Sequence, residues 1–236
     1  MYVAETRFLL DKPAASIDLS RYATLDFIQS VDPSIKQQAI QASDITIGKD
    51  ERNTNNKNPE RNWCEGSTVK LCIRSRYQLE GKLPMGIALA NKLRDSERQL
   101  KPYVEFESEL RILGPGDIDE PALVKLTGID TPVAAVLEQN IFGVNQIMRF
   151  GKFMAVVQPD PAASDKTVVT AMIVMGVAAT TLEMKKSYGD VPVLRNLVPS
   201  QVLLGNSSFN VGNSISAGLP VYARNRLTAI AENLDK

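Results

Sequence analysis

The sequence predicts an α+β fold: a largely antiparallel sheet with helices packed on one face and a C-terminal amphipathic helix. Three observations carry that prediction. Over residues 69–83, Val69, Leu71, Ile73, Tyr77, Leu79 and Leu83 share one parity, and Lys70, Arg74, Arg76, Gln78, Glu80 and Lys82 share the other. Strict alternation over that length marks a long strand with one face buried and one polar. Residues 103–113 alternate as cleanly, with Val104, Phe106, Leu110 and Ile112 set against Glu105, Glu107, Glu109 and Arg111. Near the end, Pro220 opens a segment in which Ala223, Leu227, Ile230, Ala231 and Leu234 recur at helical spacing.

The remaining elements follow in order. Residues 2–10 are extended in character, with Phe8, Leu9 and Leu10 as an apolar run. Ser20 offers an N-cap for a helix carrying Tyr22, Leu25 and Ile28. Asp32 followed by Pro33 repeats the signal for a second helix with Ile35, Ala39 and Ala42 along one side. Ile45 and Ile47 suggest a short strand, and residues 49–62, rich in Asn, Lys, Arg and Glu without periodicity, read as a mobile polar loop. After the 69–83 strand, Met85, Ala88, Leu89 and Leu93 predict a helix to about residue 99, which Pro102 ends.

Two short helices are expected at 121–127, stopped by Gly128, and at 132–139, capped by Asp130 or Thr131. Residues 147–157 and 167–182 read as a hairpin of strands apolar on both parities, joined by a 158–166 loop containing Pro159 and Pro161. Pro192 and Pro199 interrupt 191–204, and 205–218 is a Gly/Asn/Ser loop. Neither a repeat nor a linker rich in Pro, Gly or Ser divides the chain, so residues 1–236 read as a single domain.

Composition excludes several function classes. An apolar content of 44% with 23% charge argues against wholesale disorder. Lys plus Arg and Asp plus Glu balance at 27 each, without the basic excess of a non-specific nucleic-acid binder. No stretch reaches the roughly 18 consecutive apolar residues of a membrane-spanning helix. Residues 1–10 contain Glu5 and Arg7 and do not read as a signal peptide.

The chain has no histidine, which removes Ser–His and Cys–His nucleophile activation and histidine metal ligation together. Glycine-rich dinucleotide and phosphate-loop patterns are absent from the sequence, so no cofactor is called. The two cysteines, Cys64 and Cys72, are expected to form a disulfide across a short turn, with two free thiols or a metal pair as the alternatives. A disulfide favours a periplasmic or secreted location.

The carboxylates Glu105, Glu107 and Glu109 project from one strand face, about 7 Å apart. Such an array can serve as general acid and base. It also fits a solvated surface, complemented by Lys70, Arg74, Arg76 and Lys82 on the polar face of the 69–83 strand if the two strands pair, and that reading leads. Asp117, Asp119 and Glu120 have calcium-ligand chemistry without the loop spacing, and read as helix caps; no metal site is called. Met148, Met154, Met172 and Met184 lie in or beside the late hairpin and suit either a core or an adaptable apolar pocket. Asn206-Ser207-Ser208 matches a glycosylation acceptor.

The order of strand, two helices, several strands and a long last helix resembles the helix-grip arrangement of START-like lipid-binding domains. That resemblance is one of topology, and it implies a curved sheet wrapped around the last helix and an apolar cavity. The leading expectation is therefore a non-catalytic binder of an apolar or amphipathic small molecule. Its lining is expected from Leu71, Ile73, Tyr77, Leu79, Val104, Phe106, Met148, Met154 and Met172. An interaction module using the Arg/Glu face and a carboxylate hydrolase are the alternatives.

Overall fold

The computed structural model of the protein describes residues 2–31, 33, 35–45, 62–78, 103–142, 148–177 and 228. The helix expected at 85–99, the 205–218 loop and Asn206, Met184, Leu79, and the C-terminal helix apart from helical Thr228 lie outside the described residues. So does all but the last residue of the 49–62 loop.

Seven strands form one antiparallel sheet: β1 (Tyr2–Leu10), β2 (Ile35–Ala39), β3 (Val69–Gln78), β4 (Tyr103–Leu113), β5 (Ala135–Phe142), β6 (Met148–Asp160) and β7 (Ala163–Val177). Their order across the sheet is β1-β7-β6-β5-β4-β3-β2. Strands β2 to β7 thus run as a meander, and β1 returns to pair with β7 at the far side. Between β1 and β2 come two 3-10 turns, Ala14–Ser16 and Leu19–Tyr22, and helix α1 (Leu25–Val31). This is the helix-grip order of strands, with the two 3-10 turns and α1 packed on one face of an antiparallel sheet.

Parity decides what each face buries. On the inner face, Leu10 of β1, Ile73 of β3, Leu110 of β4, Leu137 of β5, Phe153, Ala155 and Val157 of β6 and Val169, Ala171 and Ile173 of β7 form the main core with Tyr22 and Ile28 of the helical layer. The outer face carries a second, smaller cluster of Val133, Val136, Val156 and Met172, onto which Leu113, Ile118, Leu123 and Met154 pack. Leu123 belongs to helix α2 (Glu120–Thr127), which Asp119 caps at the Ala122 amide and Gly128, at φ 67°, ends.

Several sequence expectations give way to the sheet. Residues 35–39 form the edge strand β2, with Ile35 opposite Tyr77 and Ala39 opposite Ile73, not a helix. Residues 132–139, also expected as a helix, supply most of β5. Ala, Leu, Glu and Gln favour a helix locally, but pairing with β4 on one side and β6 on the other overrides that preference. The late hairpin turns more tightly than Pro159 and Pro161 suggested, since Pro159 still pairs with Thr167 and Asp160 Oδ1 accepts from the Ala162 amide at 3.0 Å. The first helical cap is Asp18, whose carboxylate accepts from the Ser20 amide at 2.9 Å, so Ser20 is the donor. After β2, Ala42, expected in the second helix, opens the 3-10 turn Ala42–Asp44; the strand expected from Ile45 and Ile47 lies, past Ile45, outside the described residues.

Candidate functional site

The inner face meets the helical layer at a narrow slit. Tyr22, Phe27, Ile28 and Val31 form its roof, and Leu110, Leu137, Gln139 and Phe153 form its floor. Its free volume is about 10 Å³, room for one water at most. In the roof, the Tyr22 and Phe27 rings meet edge to face with centroids 5.0 Å apart, a favoured aromatic geometry. Among the described residues, Gln139, 4% exposed, is the one non-aromatic polar side chain of the lining, and its Nε2 donates to Ser108 Oγ at 3.0 Å. A wider depression of about 390 Å³ around the β1 edge, between Phe8, Leu9, Ile129 and Val168, is largely open to solvent.

The structure divides the residues expected to line a pocket. Leu71 and Ile73 belong to the inner-face core beside the slit. Phe106, half-buried, stands opposite Ser75 on the same face. Tyr77 and Val104 are paired partners in β3 and β4, and Met148 starts β6; their side chains are outside the described set. Met154 and Met172 face each other across β6 and β7 and pack in the outer cluster. They share the parity of Val156, while Phe153, Ala155 and Val157 point to the helices. Two-sided apolar strands hid that division, because neither parity is polar. Tyr22, Phe27, Ile28, Val31, Leu110, Leu137, Gln139 and Phe153, which do line the slit, were all absent from the expected lining. The i, i+3 spacing of Ile28 and Val31 in α1 could have found the roof; Leu137 and Gln139 were hidden by the helical reading of 132–139.

The outer face of β3 and β4 holds the predicted cross-strand ion pairs. Arg74 donates through Nε and Nη2 to Glu107 Oε1 at 3.1 and 2.9 Å, and Arg76 donates to Glu105 Oε2 at 2.9 and 2.6 Å. Arg111 Nε donates to Glu109 Oε1 at 2.6 Å. What differs from the expected solvated face is burial: Glu107 and Glu109 are 0% exposed. Each carboxylate is held by its own arginine, an arrangement suited to fixing strands and not to passing a proton between neighbours. The Arg76–Glu105 pair at the far end of this row remains partly exposed.

Glu109 also organises the cysteine loop. Its Oε2 accepts from the Cys64 amide at 2.8 Å and its Oε1 from Asn140 Nδ2 at 3.3 Å. Cys64 and Cys72 are joined as a disulfide with Cα atoms 5.8 Å apart, within the usual span. Cys72 lies on the charged parity, as read, yet is buried at 6% exposure. Beside it Trp63 stacks on Phe142 with centroids 4.2 Å apart.

Among the described residues, no group of three or more Asp, Glu, Cys or His side chains is arranged to hold a metal ion. Asp117 and Asp119 instead accept from the Gly114 and Ala122 amides, and Glu120 Oε1 from the Val133 amide at 3.0 Å. No helix among them is long and apolar enough to cross a membrane.

The described residues define an α+β protein: a seven-stranded antiparallel sheet in the helix-grip strand order, with α1 and two 3-10 turns over its inner face. No family model matches the sequence, and no curated protein does. Among solved structures it is similar to Ara h 8.0201, at 10% identity with a TM-score of 0.41, over 99% of this chain and 97% of that one. It is also similar to the Zhui aromatase/cyclase from a Streptomyces species, at 12% identity and a TM-score of 0.36, over 99% and 86%. A third is norcoclaurine synthase from Thalictrum flavum, at 9% identity and a TM-score of 0.35, over 81% and 79%. The fold assignment rests on the strand order itself.

Proposed function

We propose that this chain is a non-catalytic binding protein for an apolar or amphipathic small molecule, held between the inner face and its helical cover. The observation that carries this reading is the slit, a covered apolar seam whose floor contains one buried amide. In the closed form described here the slit is far below the roughly 300 Å³ of a ligand pocket. Binding therefore requires the roof to move. Helix α1 has seven residues and buries only Ile28 fully, so few contacts resist its displacement. The disulfide supports an extracytoplasmic site of action.

Native mass spectrometry of the purified full chain, with and without added N-phenyl-1-naphthylamine, tests the proposal. A co-purified small molecule, or a one-to-one complex with the probe, is the expected result. Absence of both, together with no rise in probe fluorescence, would overturn it.

A further inference from the structure

The inner face is not uniformly apolar, and its polar side chains lie on one line. Gln37 of β2 is the direct partner of Ser75 in β3. Ser75 stands opposite Phe106, two residues from Ser108 in β4, and Ser108 is the diagonal neighbour of Gln139 in β5. Directly opposed residues share a face, and so do residues two apart. Gln37, Ser75, Ser108 and Gln139 therefore form an oblique track across four strands, ending in the floor of the slit.

The two ends of this track differ. Gln139 Nε2 and Ser108 Oγ satisfy each other. Ser75 is 0% exposed and its Oγ has no hydrogen-bond partner among the described residues; the buried Oε1 of Gln37 has none there either. An unpaired buried hydroxyl or amide oxygen costs free energy comparable to a lost hydrogen bond, so such groups in a native fold need an explanation. The charges near them point the other way: Lys36, Arg74, Arg76, Glu105 and Glu107 all occupy the outer parity of the same strands.

We infer that Ser75 and Gln37 form the polar end of the binding face and select an uncharged amphipathic ligand that carries a hydroxyl group. This rests on the binding function proposed above. A hydroxyl both donates and accepts, matching an acceptor-only Oε1 and a serine that can do either. A carboxylate or an ammonium would enter this face without a described counter-charge, and burying an unpaired ion is far more costly than burying a neutral group.

Competition against bound N-phenyl-1-naphthylamine at neutral pH tests the inference, using 1-decanol, decanoate and decyltrimethylammonium, which share a chain length and differ in head group. Wild-type protein is expected to release the probe at about tenfold lower decanol than decanoate or decyltrimethylammonium concentration. Ser75→Ala and Gln37→Leu are each expected to remove most of that preference, read as the ratio of decanol to decanoate and decyltrimethylammonium concentrations that release half of the probe from the same variant. Ser75→Ala deletes a buried hydroxyl, and Gln37→Leu a buried amide oxygen, that have no partner among the described residues, and circular dichroism confirms that each variant is folded before it is compared. Equal or better competition by either ion overturns the inference, as does a decanol preference that survives both substitutions. Failure of the probe to bind at all removes the binding function itself, and is distinguishable from both results.

Discussion

The two faces of the sheet are both closed to water across the central strands, and by opposite chemistry. On the inner face, burial is achieved by Leu110, Leu137, Phe153 and Val157 against Tyr22 and Ile28, with a single satisfied amide–hydroxyl pair at the slit. On the outer face, fully buried Glu107 and Glu109 are held by Arg74 and Arg111. The inner face gains from apolar area removed from water, a non-directional force that tolerates rearrangement. The outer face depends on directional pairs whose partners cannot be removed singly without leaving a buried charge. The difference teaches where each property of the protein resides: the face proposed to open for a ligand is built from forgiving contacts, and the face that keeps the strands in register is not.

The largest effect is expected on the outer face. Glu109→Ala strands the Arg111 guanidinium, the Asn140 amide and the Cys64 amide at once. The expected loss is about 3–5 kcal/mol of unfolding free energy, the range for breaking a buried pair. Urea denaturation followed by circular dichroism measures it. Glu109→Gln, which keeps the acceptor but not the charge, should fall between wild type and alanine. A loss under about 1 kcal/mol in the alanine variant would place this pair with surface pairs and dissolve the contrast between the faces.

Next comes the disulfide, which belongs to the same face. It closes a loop with a sequence separation of 8, which on the chain-entropy model contributes about 2.5 kcal/mol. Cys64 holds a φ of 66°, a region that non-glycine residues adopt at a cost. Reduction by a dithiol frees that residue to relax, and with it the neighbouring Trp63, the chain's single tryptophan. The expected outcome is a lower urea midpoint and a red shift of tryptophan emission, reproduced by Cys72→Ser. Unchanged emission after complete reduction would show that Trp63 is held on Phe142 independently of the bond.

Much of this contrast was legible in the residues, and the part that was not has a physical reason. Alternation in β3 and β4 set their faces, and with them the expectation of Arg–Glu contacts across the pair; which arginine meets which glutamate depends on the register, which alternation leaves open. Burial of Glu107 was not legible, because a row of charges on one parity looks the same whether water or protein lies above it. In β6 and β7 the parity itself was ambiguous, so Met154 and Met172 were placed in the lining although they face away from it. Strand β5 was lost to propensity: Ala-Val-Leu-Glu-Gln is a good helical string until strands pair on both its sides. Those pairings are non-local, and no window of neighbours contains them.

The inner face offers a smaller perturbation. Gly151 of β6 stands opposite Ile141 of β5, and a Cβ there would come within 3.2 Å of Ile141 Cδ1. Gly151→Ala must push that flexible methyl aside, so a loss of about 1 kcal/mol is expected, at the low end for overpacking. Thermal unfolding measures it. A loss comparable to that of Glu109→Ala would mean that the inner face is as unforgiving as the outer one.

The smallest expected effect concerns the cover of the inner face. The Asp18 carboxylate accepts from both the amide and the hydroxyl of Ser20, at 2.9 and 2.6 Å, and caps the Leu19–Tyr22 turn that carries Tyr22 over the slit. The Ser20 hydroxyl and then its amide hold the Asp18 carboxyl below its ordinary value of 3.8. A carboxyl depressed in the folded state favours folding above its unfolded value, and that contribution is lost as the pH falls through the folded value. Asp18→Asn keeps a capping side chain and removes only the charge. The variant should therefore unfold at a slightly lower temperature than wild type near neutral pH, and the gap should close as the pH drops below about 3.8. Differential scanning calorimetry across that range reads the gap directly. Were it to persist undiminished in acid, the contribution of Asp18 would lie in the shape of the turn and not in its charge, and the cover over the slit would be insensitive to pH.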